Sequence, residues 1–395
     1  MAEAICQAAV DWLERAEPMA KTLAPAAEAA AERLMAGGTL YAAGNDGFAE
    51  ELHYRAGGFP FTLPWKGEKL GPNDVLLIGR FRPHDAPLRY ARPSYVAAGH
   101  RQRFGQAMVV HLASHNWPQI RRTLAALSGY SWGDQLHMVD TGAPSGGSMS
   151  DLALGQLSTA ALAWAFHGEI IAAATRKGKT LATYASDWEP DGRAWDASVK
   201  GKHIHPKYEV PPIPAGKIGR QYLRICRQQI AAFGATQGGQ VRLAAGRMFK
   251  AMKRGGMVWV LSDGHIHASG SAVPRELPRV FNFGRSYDWR LFSRQLPHGD
   301  MVLYMGYLRY PRGTINGVLR RGCDAVVVCV DPGETNEQKT HIRGCWKNYD
   351  TVIDLPDYPI RVLPSSGVVQ TPQWYSLMAE MLAAQRAKPA AKPPR

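Results

Sequence analysis

Two carboxylates and a histidine stand close together at Glu50, Glu51 and His53, just behind the turn Gly44-Asn45-Asp46-Gly47. A carboxylate whose pKa is raised by partial burial, working beside an imidazole, can move protons to and from a bound substrate. On a helix that starts at this turn, His53 follows Glu50 at i+3 and shares its face, while Glu51 points elsewhere. The same acids, with Asp46, also complement the positive end of that helix, a purely structural use. Arg55 follows Glu51 at i+4, the spacing of an ion pair. Further on, Arg80, Arg82, His84 and Asp85 form a second polar group. Guanidinium suits phosphate because its fork of N–H donors meets two oxygens at once. Ser145 and Ser148, with Gly146 and Gly147, precede a long helical stretch and can contact an anion, or the segment simply caps that helix through Ser150. Asp263, His265 and His267 form a third group, and His203 with His205 repeats the H-x-H spacing. Alternation along an extended segment puts both imidazoles of a pair on one side. These donor types suit a divalent metal, and unliganded surface histidines show the same pattern.

The elements that must position these residues come in two copies. Ala-rich helical stretches (Ala2–Ala16 and Met19–Met35) lead into Gly37-Gly38 and the apolar run from Thr39 to Ala43; then comes the turn at Gly44–Gly47. In the second half, stretches Arg220–Phe233 and Gln237–Lys253 lead into Gly255-Gly256, the run Met257–Leu261, and a turn containing Asp263, Gly264 and His265. Downstream, Asp74–Ile78 matches Asp300–Tyr304, Ala107–Leu112 matches Asp324–Cys329, and His137–Asp140 matches Thr351–Asp354. A Ser/Gly loop and a helix (Asp151–Arg176; Thr371–Gln385) close each copy. Short continuous apolar runs alternating with helices mark strands buried on both faces of a parallel sheet. The reading is α/β: two doubly wound parallel-sheet domains in tandem, whose ligands belong at the carboxyl ends of the strands. Residues 1–186 form the first domain and 217–385 the second. The stretch 187–216, rich in proline and aromatics, is an ordered connector, and 386–395 a disordered basic tail.

Composition narrows the functional classes. Of 395 residues, 45% are hydrophobic and 20% charged, an ordinary globular balance that excludes bulk disorder. The net charge is +14, but the basic residues are scattered in ones and twos without an aromatic-interleaved stripe, so nucleic acid is not the expected partner. The most apolar stretch, Leu152–Ala174, contains Gln156, His167 and Glu169 and reads as a core helix, so no membrane partner is expected. Five scattered cysteines without a CxxC pair read as reduced thiols, and Met1–Trp12 lacks the basic start of a signal peptide. Together these give a cytoplasmic location.

The helix, Gly-Gly, strand and Gly44–Gly47 pattern resembles the sugar isomerase (SIS) fold. The turn is similar to the GNGGS loop of phosphoheptose isomerases, with Phe48 in the position of its serine. Ala49–Gly58 resembles the EE-x-x-YRAGG stretch of a group of SIS-domain proteins, and Val139–Pro144 resembles a later loop of that group. The S-x-S-G phosphate turn of SIS domains is replaced by Gly79–Asp85 and, in the second half, by Met305–Arg312. The resemblance implies binding of a small phosphorylated or anionic sugar, with aldose–ketose isomerisation through an enediol. Glu50 or Glu51 would be the base, and His53 or His84 the ring-opening acid/base. The cleft would be built from Gly44, Asn45, Asp46, Gly47, Arg80, Arg82, Asp85, Ser145 and Ser148, with Asp263 and His265 from the second half. A homo-oligomer is expected. The alternatives are a non-catalytic sugar-phosphate-binding regulator with altered phosphate loops, and a metal-dependent enzyme using His265, His267, His203 and His205; no cofactor other than a divalent metal is implied.

Overall fold

Helix α1 (Ala2–Ala16) buries Ile5, Ala9, Trp12, Leu13 and Ala16, a stripe at helical spacing that must face other helices. After α2 (Met19–Thr22) and α3 (Ala24–Met35), Gly37 takes a left-handed φ of 91° and turns the chain into β1 (Leu40–Gly44). This computed structural model describes residues 1–44, 47–79, 106–114, 136–144, 146–262, 273–285, 296–306, 309–331, 333, 335–346 and 349–387. A five-residue α4 (Phe48–Leu52), β2 (Thr62–Pro64), β3 (Val75–Gly79), β4 (Met108–Ala113), β5 (Leu136–Asp140) and α5 (Met149–Arg176) complete the first half. Helix α6 (Gly192–Val199) lies in the connector. The second half runs α7 (Lys217–Lys253), β6 (Val258–Ser262), β7 (Val280–Arg285), β8 (Met301–Met305), α8 (Arg312–Arg320), β9 (Asp324–Cys329) and β10 (Lys339–Arg343). It ends with β11 (Thr351–Ile353), β12 (Val362–Pro364) and α9 (Ser366–Arg386).

The strand orders are β2-β1-β3-β4-β5 and β10-β9-β8-β6-β7, the same order traversed from opposite ends, and every pairing within both sheets is parallel. The architecture expected from the duplicated apolar runs is therefore present: two parallel five-stranded sheets with helices against them. Small devices repeat too. Asp74 Oδ1 accepts Thr39 N–H at 2.9 Å, and Asp300 Oδ1 accepts Met257 N–H at 2.9 Å, each carboxylate pinning the start of the neighbouring strand.

Three expectations are corrected. The partner of β5 is β10, not Thr351–Asp354: β10 pairs with β9 as β5 pairs with β4, whereas β11 forms an antiparallel hairpin with β12. The largely polar run Lys339-Thr340-His341-Ile342-Arg343 hid a sheet strand, and Val352-Ile353 imitated one. The helical stretches Arg220–Phe233 and Gln237–Lys253 are one 37-residue helix, α7, along which α1 packs closely. The final helix begins at Ser366 rather than Thr371, and its Pro372 lies inside it.

Helices α1, α5, α7 and α9 pack on one another, and one buried apolar cluster takes residues from both halves. The interior of α5 is buried from Ala153 to Thr175, so the helix apolar and long enough to cross a membrane is here a core helix. The connector is folded: Trp195, His205 and Tyr208 pack with Tyr358 of the second half, and Thr183 Oγ1 lies 3.0 Å from the Tyr358 hydroxyl.

Candidate functional site

Ligands of doubly wound sheets sit at carboxyl strand ends, where the strand order reverses; in the first half that point lies between β1 and β3. Here it is filled. Phe48 is 1% exposed, and its ring lies on the backbone of Gly44 and Gly79, so that a single carbon added at Gly79 would overlap it. The residue that stands where the resemblance has serine thus closes the crevice instead of offering a hydroxyl. Among the described residues, what stays accessible at the tip of β1 is the rim: Gly44, the left-handed Gly47 (φ 86°) and the exposed Glu50.

The acids of α4 take opposite environments. Glu50 faces outward. Glu51 is 1% exposed, accepts the Trp164 indole N–H at 3.1 Å and pairs with Arg55 at 3.4 Å, the i+4 pair anticipated from spacing. Glu51 thus stands as an interior anchor, its carboxylate enclosed between Trp164 and Arg55. The helical placement of His53 is corrected. The helix stops at Leu52, His53 is extended (φ −79°, ψ 133°), and its Nδ1–H donates to the Thr62 carbonyl at 2.8 Å. It points along β2 rather than sharing the face of Glu50.

Ser148 is a helix cap. Its Oγ accepts Asp151 N–H at 3.1 Å, and its own N–H donates to Asp151 Oδ2 at 3.2 Å, a reciprocal capping box at the start of α5. The sheet order also places β5, which leads to this cap, three strand spacings from β1, about 14 Å. His203 and His205 do not converge: His203 Nε2–H donates to the Gly38 carbonyl and stacks on Phe61, whereas His205 stacks on Trp195. Their side chains serve separate packing sites. Among the described residues no group of three His, Cys, Asp or Glu side chains is placed to hold a metal. Asn45, Asp46, Arg80, Arg82, His84, Asp85, Ser145, Asp263, His265 and His267 lie outside the described residues.

Residues that no local pattern had marked complete the region. Asp350, from the loop before β11, accepts Ser365 N–H at 3.0 Å and Ser366 N–H at 2.6 Å through Oδ1. Its Oδ2 accepts Ser366 Oγ–H at 2.6 Å and Arg55 at 3.0 Å. Burial pushes the Asp350 carboxyl up, while Arg55 and Ser366 pull it back. A resident carboxylate thus occupies the amino end of α9, the position an anionic ligand would need there.

No protein-family model and no curated protein matches the sequence. Solved structures do match, over nearly the whole length. A "putative phosphosugar isomerase" from Silicibacter pomeroyi DSS-3 is 12% identical with a TM-score of 0.53, covering 97% of this chain and 98% of its own. A protein of the same description from Clostridium difficile 630 is 9% identical, TM-score 0.56, covering 99% and 96%. The C-terminal domain of glucosamine-fructose-6-phosphate aminotransferase from Francisella tularensis is 6% identical, TM-score 0.50, covering 95% and 96%. At such identity the likeness is one of fold, and the fold is the tandem SIS-like arrangement that the loop sequences resembled.

Proposed function

We propose that this chain binds a phosphorylated or otherwise anionic sugar at the carboxyl edge of its first sheet and interconverts its aldose and ketose forms. Glu50 is the base. It takes the proton from C2 of the open-chain aldose, giving an enediolate; the O2 hydroxyl proton passes to O1, and Glu50 returns the carbon-bound proton to C1. His84, which follows β3 in the sequence, is the remaining candidate for opening the ring, and Arg80 and Arg82 for pairing with the anion. The observation that carries the reading is the split within α4: Glu51 is anchored inside, and Glu50 is left exposed two residues from where Phe48 closes the crevice. Whole-length likeness of fold to proteins described as phosphosugar isomerases supports the same class.

A coupled assay over a panel of sugar phosphates tests it. Glu50→Gln lowers kcat by about 10²–10⁴, the usual worth of a general base. Glu51→Gln, which loosens the anchor of α4, lowers stability and reduces kcat less than Glu50→Gln does. Unchanged turnover in Glu50→Gln refutes the base assignment. One observation favours a second reading, binding without turnover: Phe48 occupies the crevice where the resemblance has a hydroxyl. Thermal stabilisation by a sugar phosphate without any conversion would select that reading.

A further inference from the structure

Glu50 can work as a base only if α4 holds still, and a helix of five residues does not persist by itself. Within the first half it rests on β1 and β2, Phe48 lying against Gly44 of β1, and on Trp164 through Glu51; a further restraint comes from the other half of the chain. Arg55, 2% exposed, places one terminal nitrogen 3.4 Å from Glu51 Oε1, 3.0 Å from Asp350 Oδ2 and 2.8 Å from Ser366 Oγ. Glu51 extends the chain of contacts to Trp164 of α5. The line therefore runs from α4, through one guanidinium, to the amino end of α9, some 300 residues away in sequence (|i−j| of 295 and 311).

The backbone around this clasp is unusual. Tyr54 (φ 56°), Tyr349 (φ 70°), Asp350 (φ 68°) and Leu363 (φ 62°) are all left-handed without being glycine. Gly57 (φ 75°) lies so close to Leu363 that a Cβ would overlap it, and the Leu363 N–H donates to the Gly57 carbonyl at 3.2 Å. Such conformations persist only where the surroundings over-determine them. Here they gather on the two segments that meet at Arg55. Within the Glu50–Gly58 stretch, Arg55 and Gly57 bond directly to the other half, and Glu51 reaches it through Arg55.

We propose that Arg55 is a positioning residue: it makes the placement of α4, and with it Glu50, depend on Asp350 and Ser366 of the second half. The effect on ligand rests on the sugar-binding reading above; the coupling of α4 to the second half does not. Hydrogen exchange of the residue 47–52 amides tests the coupling, with the buried α5 amides of residues 160–172 as reference. In Arg55→Met the 47–52 amides exchange at least about tenfold faster while the α5 amides hold, the mark of local opening. Arg55→Lys, which keeps the charge, recovers most of the protection. Ser366→Ala removes one hydroxyl and gives a smaller change in the same place; it decides the matter if Arg55→Met does not fold. With fructose 6-phosphate as probe, the same variants lose kcat more than they raise KM, because Glu50 is displaced and not removed. Equal exchange at 47–52 in wild type and in folded Arg55 and Ser366 variants would overturn the proposal, as would a change spread evenly over α5. If exchange rises locally but the wild type turns over no sugar phosphate, the coupling stands and the isomerase reading falls.

Discussion

Replacing Phe48 by alanine probes the filled tip of the first sheet. The ring is buried and rests on Gly44 and Gly79, which are register partners in the β1–β3 ladder. Truncating a buried phenylalanine costs about 3–5 kcal/mol, the lost transfer energy plus the hole left behind. The glycines have no side chain to move into that hole, and the ladder fixes their backbone, so the upper part of the range is expected. Against a typical total of about 5–15 kcal/mol, such a loss is large. Urea unfolding read by tryptophan fluorescence and by far-ultraviolet circular dichroism measures it, and the two signals must coincide before a single free energy is assigned. A cost below about 1 kcal/mol would refute the wedge, since an unconfined ring is the only way to lose so little. A functional arm follows from the same geometry. Phe48→Ser vacates the crevice and supplies a hydroxyl there, so it tightens binding of a sugar phosphate by about tenfold or more, roughly the worth of one hydrogen bond to a charged group; unchanged affinity would mean that the ligand sits elsewhere.

Two further tests address stability. His167, buried between Phe59 and Trp164, donates Nδ1–H to the Ala163 carbonyl, and burial lowers its pKa from 6.5 to about 4. The unfolded chain takes up this proton first as pH falls. Stability is therefore whole above pH 6.5 and drains away between there and pH 4, by about 3 kcal/mol in all. His167→Phe should flatten that part of a Tm–pH curve, and an equally steep decline in the variant would show that another group is responsible. The matched carboxylates Asp74 and Asp300 each serve two donors: Thr39 and Gly71 N–H in one half, Met257 N–H and the Trp259 indole in the other. Each change to alanine should cost about 1–3 kcal/mol by denaturant titration. A neutral result for either one would break the equivalence of the two devices.

The strands that could be read from sequence are those walled in on both faces, because burial leaves an uninterrupted apolar run: β1, β3, β4, β6, β8 and β9. Of the edge strands, β5 is legible as His137–Asp140, and β2, β7 and β10 escape. β2 is three residues ending in Pro64, and β10, at the sheet margin, carries a single apolar residue, Ile342, among polar ones. The break expected near Gly234 in α7 did not occur, since glycines there let α1 approach instead of ending the helix. At the site, spacing found the Glu51–Arg55 pair and the opposed faces of Glu50 and Glu51. It could not find that α4 stops before His53, nor that Asp350 completes the clasp. The first turns on a local choice of φ and ψ, the second on a partner hundreds of residues distant, and neither leaves a periodic trace.

The single apolar interior shared by the two halves has a consequence for how such a molecule can change. In a twofold dimer of identical subunits every substitution strikes both copies of a surface at once, and an innovation in one is forced on its twin. Within one continuous chain the copies hold separate positions. One sheet can carry an aromatic plug at its tip and the other an internal acid at its helix entrance, each tuned without disturbing its counterpart.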